Sequence, residues 1–319
     1  MKAYVTGGTG FVGSNIVKVF AEVHGADVHC PVHSFVPDEP AGYTTERLDL
    51  LDVDALKGSV RSAAPDVIVH SMILNDFERI YADRRLAWES YVGTTATLAD
   101  AANAVGAKLI LVSTDWVFDG TQTRADEDTA PNPINYYGVL KAISEQVALA
   151  KADGAAVARV SGVNGVHWAR PTTERAQDCG FGYFVLSLVD ALSAGEPFTV
   201  WEGDDINMVA TPSLASQCGE LMFRMADTAA ANGIFHCCGA DATGRMELAV
   251  VACAVFELDA SLLRVGPADP DSMPGSPIPY DTSLAAGRTE EILGVAPLPT
   301  EELLSRFRLE IETGQLQSG

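Results

Sequence analysis

The stretch "AYVTGGTGFVGSNIVKVF", residues 3–20, decides the fold. A short apolar run enters a glycine cluster and a helical pattern follows, which is the one context in which a glycine motif carries weight. Gly7, Gly10 and Gly13 fit G-x-x-G-x-x-G, and Gly8, Gly10 and Gly13 fit the overlapping G-x-G-x-x-G. In either register glycine permits a tight turn and lets backbone approach a pyrophosphate at a helix N-terminus. Thr9, Phe11 and Val12 complete the loop, so residues 7 and 9–13 are expected to contact a dinucleotide.

Downstream, apolar runs alternate with helical patterns: "DVHCPVHS", "VDALKGSVRSA", "DVIVHS", a long helix near 80–105, "KLILVS", the "YYGVLK" helix and "AAVARV". Such alternation predicts an α/β fold, a doubly wound parallel Rossmann sheet with helices on both faces. Residues 1–165 are expected to form this dinucleotide-binding domain. Residues 166–319 are expected to form a smaller, mainly helical substrate-binding lobe, with a strand near 233–238, "GIFHCCG", returning to the sheet.

The second strand ends in Val32, His33 and Ser34 without the carboxylate that would hold ribose hydroxyls. That favours NADP, with His33 and Ser34 as donors to a 2′-phosphate; NAD stays open.

The third element is "PINYYGVLK", residues 133–141. Side chains four apart share a helix face, whereas five apart are rotated by roughly 140°, so Tyr137 rather than Tyr136 can pair with Lys141. A nearby ammonium favours a phenolate and makes such a tyrosine usable as an acid or base. "KLILVSTDWVFDG" ends its strand in Ser113, Thr114 and Asp115, and in an open parallel sheet those residues emerge on the edge that carries the glycine loop. A hydroxyl there can polarise a substrate carbonyl.

Together "TGGTGFVG", "STDWVFDG" and "PINYYGVLK" resemble the extended short-chain dehydrogenase/reductase family, most closely its dTDP-4-dehydrorhamnose reductase group. The resemblance spans nearly the whole chain. It implies Thr114 for carbonyl polarisation, Tyr137 for proton donation, and Lys141 for lowering the tyrosine pKa and holding the nicotinamide ribose. It further implies Asp49 and Leu50 near adenine, Ser71 and Met72 near the cofactor, and Asp115, Trp116, Asn164, Arg170 and Arg175 toward substrate. Arg170 or Arg175 would grip a diphosphate. Three departures stand out: "HSMI" with the bulky Met72, Ser90 where relatives commonly have asparagine, and Pro279 or Tyr280 where the reductases have arginine. The implied activity is NADP-dependent reduction of a ketone, most closely the 4-keto group of a nucleotide-linked deoxysugar. Two alternatives share the pattern: an epimerase or dehydratase that returns the hydride to its substrate, and a non-catalytic NADP-binding regulatory subunit resembling the methionine adenosyltransferase β subunit.

The 319 residues carry a formal charge of −22. That field opposes nucleic acid and anionic membrane surfaces in the absence of a basic patch, and requires any phosphate site to be built locally. Six cysteines show no metal-ligand spacing and are expected as free, buried thiols. No metal site is expected: Asp204 and Asp205 read as a solvated turn, and His70 as a core histidine. No leader or membrane span is evident, so a cytoplasmic protein acting on a small molecule, with a possible homodimer, is the expectation.

Overall fold

A computed structural model of the protein describes residues 1–36, 42–74, 76–173 and 175–317. Its elements run β1 (Lys2–Thr6), α1 (Phe11–Lys18), β2 (Asp27–Val32), β3 (Tyr43–Arg47), α2 (Val53–Ala63), β4 (Val67–His70), α3 (Phe77–Ala82), α4 (Arg84–Trp88), α5 (Thr94–Val105) and β5 (Lys108–Thr114). There follow α6 (Tyr136–Lys151), β6 (Ala155–Val160), β7 (Val163–Asn164), α7 (Phe184–Ser193), β8 (Phe198–Trp201), β9 (Val209–Ala210) and β10 (Ser213–Leu214). The chain closes with α8 (Ala215–Asp227), β11 (Gly233–Cys237), β12 (Thr243–Gly244), α9 (Arg245–Phe256), β13 (Leu263–Gly266), α10 (Gly287–Leu293) and α11 (Thr300–Thr313).

The central sheet has seven strands in the order β11-β6-β5-β4-β1-β2-β3, and each neighbouring pair is parallel. The α/β doubly wound architecture read from the sequence is therefore the one observed. Strands buried on both faces must be apolar nearly throughout, and "VIVH" and "LILV" are. On one face Ile16 and Val17 of α1, with Phe20 in the π turn that continues it, meet Leu221, Met222 and Met225 of α8. On the other, Leu56 and Val60 of α2, Leu98 and Ala102 of α5 and Ala148 of α6 pack on Tyr4, Ile68 and Leu109. A separate apolar cluster joins Phe184 and Leu188 of α7, Val200 of β8, Leu248 and Ala252 of α9, and Leu304 and Phe307 of α11.

Strand order fixes the site. The chain reverses direction across the sheet between β1 and β4, and in open sheets of this kind ligands bind at such a switch point, beyond the carboxyl ends of the strands.

The long helix expected near 80–105 is divided. Asp83 leaves helical geometry (φ −126°, ψ 81°) and its side chain accepts from Leu86 N at 2.9 Å, so it both ends α3 and caps α4. A π turn over 89–93 then joins α4 to α5, with Thr94 and Thr95 hydroxyls donating to the Glu89 and Tyr91 carbonyls at 3.0 and 2.6 Å. Widened turns of this kind recur at functional sites. Here it sets Tyr91 against α6.

All six cysteines are buried and free. Among the described residues no cluster of three or more His, Cys, Asp or Glu could hold a metal ion. Nor is any helix among them long and apolar enough to cross a membrane.

Candidate active site

The turn after β1 is shaped by close approach. Gly7 sits at φ +70°, and a Cβ there would lie 2.7 Å from the Met72 backbone nitrogen, while one on Gly13 would strike the Gly7 carbonyl. The turn closes through Gly10 N–H donating to Gly7 O at 2.8 Å. α1 starts from Gly10 without a side-chain cap and carries no acidic residue in its first turn. Its dipole and N-terminal amides are thus left for an anion, the chemistry that a dinucleotide pyrophosphate requires. Ser71 sits across the turn, its hydroxyl donating to Thr6 O at 2.7 Å. His33, Ser34 and Asp49 are exposed near the outer strands, and Leu50 is half-buried beside them.

At the end of β5 the second group assembles. The Tyr137 phenol lies beside the Thr114 side chain, which acts on its titration. Thr114 Oγ1 donates in turn to Asp115 Oδ1 at 3.0 Å and accepts from Trp116 N at 3.2 Å. Asn135 caps α6, accepting from Gly138 N at 2.8 Å. Gly138 admits the close contact: a Cβ there would collide with the Trp116 carbonyl. These two devices press the first turn of α6, with Tyr137 on it, against the exit of β5.

Lys141, one turn later, is buried and donates from Nζ to Val112 O at 2.9 Å. Burial pushes its ammonium down to about 8, against the pull of Glu145. Burial also lifts the Tyr137 phenol above its ordinary value; the Thr114 side chain opposes this and Asp115 adds to it. The expected drop of the phenol pKa through Lys141 is therefore not what this arrangement shows: burial sets the direction, and Lys141 is not among the groups that shift the phenol. The expected direction of the Thr114 proton differs too: its hydrogen is spent on Asp115.

Aromatic rings enclose the phenol. Phe77, Tyr91 and Trp116 have centroids 5.6, 6.0 and 6.1 Å from Tyr137. Tyr91 also lies 5.5 Å below the Lys141 ammonium and donates its hydroxyl to Leu74 O at 3.1 Å. Sequence reading missed Phe77 and Tyr91: Phe77 is the first residue of α3, and Tyr91 lies in the π turn between α4 and α5. Tyr136 faces away, its hydroxyl bonded to Arg84 O at 3.3 Å.

Asp115 is a correction. Expected toward substrate, it is 5% exposed, and its carboxylate accepts from Thr114, from Ser161 Oγ at 2.7 Å and from Thr282 Oγ1 at 2.6 Å. Burial raises its pKa, and the three hydroxyls pull it back. Its work is to tie β5 to the segment after β6 and to the C-terminal region. Asn164 is also buried, donating to Gly162 O at 2.8 Å and leaving Oδ1 without a partner. His70 Nδ1 lies 2.7 Å from Thr6 Oγ1, and burial, then Lys141, holds the ring neutral with a pKa of about 3, as a core histidine.

Arg170 and Arg175 lie toward the glycine turn. Arg170 stacks 4.4 Å over Phe35 and Arg175 4.9 Å over Tyr183, whose ring lies 5.0 Å from Phe11.

The whole arrangement coincides with a known pattern. Residues 1–308 match the family model described as RmlD substrate binding domain. The chain belongs to that family, within the extended short-chain dehydrogenases/reductases. Among characterised relatives it is 28% identical to methionine adenosyltransferase 2 subunit beta of Xenopus tropicalis, over 91% of this chain and 82% of that one. It is 26% identical to a probable low-salt glycan biosynthesis reductase, Agl14, of Haloferax volcanii, over 83% of each. Its fold superposes on dTDP-4-dehydrorhamnose reductase from Bacillus anthracis, solved in complex with NADP, with a TM-score of 0.75 at 20% identity, covering 97% of this chain and 99% of that one. The RmlD substrate binding domain family thus includes a chain whose glycine turn and Tyr137 group are both built on one sheet edge.

Proposed function

We propose that this protein is an NADP-dependent reductase of ketones, acting on the 4-keto group of a nucleotide-linked deoxysugar. One observation carries the reading: a phenol beside a hydroxyl at the end of β5, with a buried lysine one helical turn on. The glycine turn opens at the same sheet edge and fits the pyrophosphate of a dinucleotide. A bound nicotinamide would supply hydride to the carbonyl carbon. Tyr137 then delivers its proton to the carbonyl oxygen, for which a neutral phenol is the required form, and its raised pKa keeps it neutral at physiological pH. The Lys141 ammonium offsets the phenolate that results. Thr114 polarises the carbonyl once its proton turns from Asp115 to the substrate oxygen. The walls of Phe77, Tyr91 and Trp116 exclude water from the transfer and suit an apolar sugar edge.

Dehydration needs a carboxylate to act on the substrate, and Asp115, the carboxylate nearest Thr114, is committed to hydroxyls. A regulatory-subunit reading is favoured by a different observation, the 28% identity to methionine adenosyltransferase 2 subunit beta. Turnover decides between the two. NADPH oxidation followed by absorbance against a panel of nucleotide-4-ketosugars and simple ketones is expected to show consumption with a ketosugar. No consumption with any ketone, together with co-purification of a second chain, would sink the reductase reading.

A further inference from the structure

The loop after β7 is fastened to α1. Asn15 Nδ2 donates to Val166 O at 2.8 Å, and Trp168 Nε1 donates to Asn15 Oδ1 at 3.0 Å. Lys18 lies 4.7 Å over the Trp168 ring. This clamp holds His167 against Phe11, the first residue of α1, at 6.1 Å between ring centroids. His167 is 6% exposed, and its Nδ1 has no hydrogen-bond partner among the described residues. Among the same residues Arg170 Nε is likewise buried without an acceptor, as are Nε and Nη2 of Arg175. Burial, Arg175 and Arg170 together depress His167 to about 4, so the ring stays neutral and free to donate or accept.

Buried N–H groups left unpaired are costly, and a protein of charge −22 does not lack carboxylates to pair them with. The arrangement fits an anion that arrives from outside. Its location follows from two contacts. One end of the cluster rests on Phe11 at the glycine turn; the other, Arg170, lies over Phe35, three residues past the end of β2. Between those points lies the place where a dinucleotide presents the 2′ position of its adenosine ribose. No basic residue occurs in the glycine turn, and residues 33–36 are His, Ser, Phe and Val.

We propose that Arg170, reaching back from the loop after β7, binds the adenosine 2′-phosphate and is the residue that makes this site prefer NADP over NAD. The role is a cofactor-specificity one, and it replaces the substrate-diphosphate role expected from sequence. It rests on the dinucleotide reading above. A charge-assisted bond to a phosphate oxygen makes the effect large and confined to the phosphorylated cofactor.

The test is equilibrium binding, which works whether or not a ketone is known. Dissociation constants for NADPH, NADH and 2′,5′-ADP are measured by calorimetry on the full chain and on Arg170→Ala, Arg170→Lys and Arg47→Ala. Arg47 is the control because it pairs with Val32 in register at the end of β3. Arg170→Ala is expected to weaken NADPH and 2′,5′-ADP by about 10-fold or more while NADH is unchanged. Arg170→Lys is expected to recover part of the loss and keeps the test open if the alanine variant does not fold. Equal weakening of NADPH and NADH overturns the proposal. So does selective loss in Arg47→Ala alone, or an Arg170→Ala that binds both dinucleotides normally and raises only the KM for a nucleotide-sugar. If the unmodified chain binds neither dinucleotide, the cofactor reading itself has failed, an outcome distinct from all of these.

Discussion

Strand β5 ends in two hydroxyls one residue apart, and their surroundings differ in a single respect, charge compensation. Ser113 Oγ donates to Glu145 Oε1 at 2.5 Å, and Glu145 is gripped by Arg159 through Nε at 2.9 Å and Nη2 at 2.7 Å. Both members of that pair are fully buried, and Arg159 also stacks 5.1 Å from Phe118 and lies 3.3 Å from His236 Nε2. Thr114 instead donates to Asp115, a buried carboxylate that meets hydroxyls and, among the described residues, no cation in hydrogen-bonding range. A forked guanidinium satisfies a carboxylate and fixes β5, α6 and β6 as scaffold. The first arrangement is support; the second ties segments together without a counter-charge and stands where the proposed chemistry would take place.

Breaking the chemical side is expected to give the largest effect. Tyr137→Phe removes the transferable proton and should lower turnover on a confirmed ketone by about 10²–10⁴-fold with an unchanged melting temperature. Full turnover in that variant means that another group donates the proton. On the scaffold side, Arg159→Ala strands the Glu145 charge and should cost about 3–5 kcal/mol in denaturant unfolding. Pairing Arg159→Met with Glu145→Leu should recover most of that loss; if it does not, the network does more than neutralise its own charges.

The adjacent hydroxyls sharpen the contrast. Thr114→Val should reduce turnover by about 10-fold or more, on top of a loss of about 1 kcal/mol in stability from its bonds to Asp115 and Trp116 N. Ser113→Ala should lower stability by about 1 kcal/mol and leave turnover intact. Identical behaviour of the two variants would erase the distinction. The smallest expected effect is in pH. Lys141 is charged below about 8 and neutral above it, so kcat/KM should fall as pH rises through about 8. Lys141→Arg, which stays protonated, should abolish that limb whatever its effect on the absolute rate.

How much was legible beforehand follows the range of each interaction. The glycine turn, the alternation of strands and helices and the choice of Tyr137 over Tyr136 rest on residues within about one helical turn or one strand of each other. Periodicity displays such relations directly. Tyr91 was invisible because the helical pattern over 80–105 does not announce the break at Asp83 or the π turn that follows, and Phe77, the first residue of α3, meets Tyr137 60 positions away. Asp115 misled for a related reason: its partners Ser161 and Thr282 lie 46 and 167 positions away, and no local pattern shows that they will meet it.

The sequence by itself determined the doubly wound sheet, the ligand-binding edge and which phenol stands four residues before a lysine, because backbone sterics and side-chain period act locally. Only the tertiary structure decided where the Thr114 proton points, what encloses the phenol, and that Arg170 lies over Phe35 at the end of β2. Each of those depends on burial and on contacts between distant segments, and desolvation reverses the sign of an effect that spacing alone predicts: Tyr137 was expected to be made more acidic by Lys141, and its enclosure makes it less so.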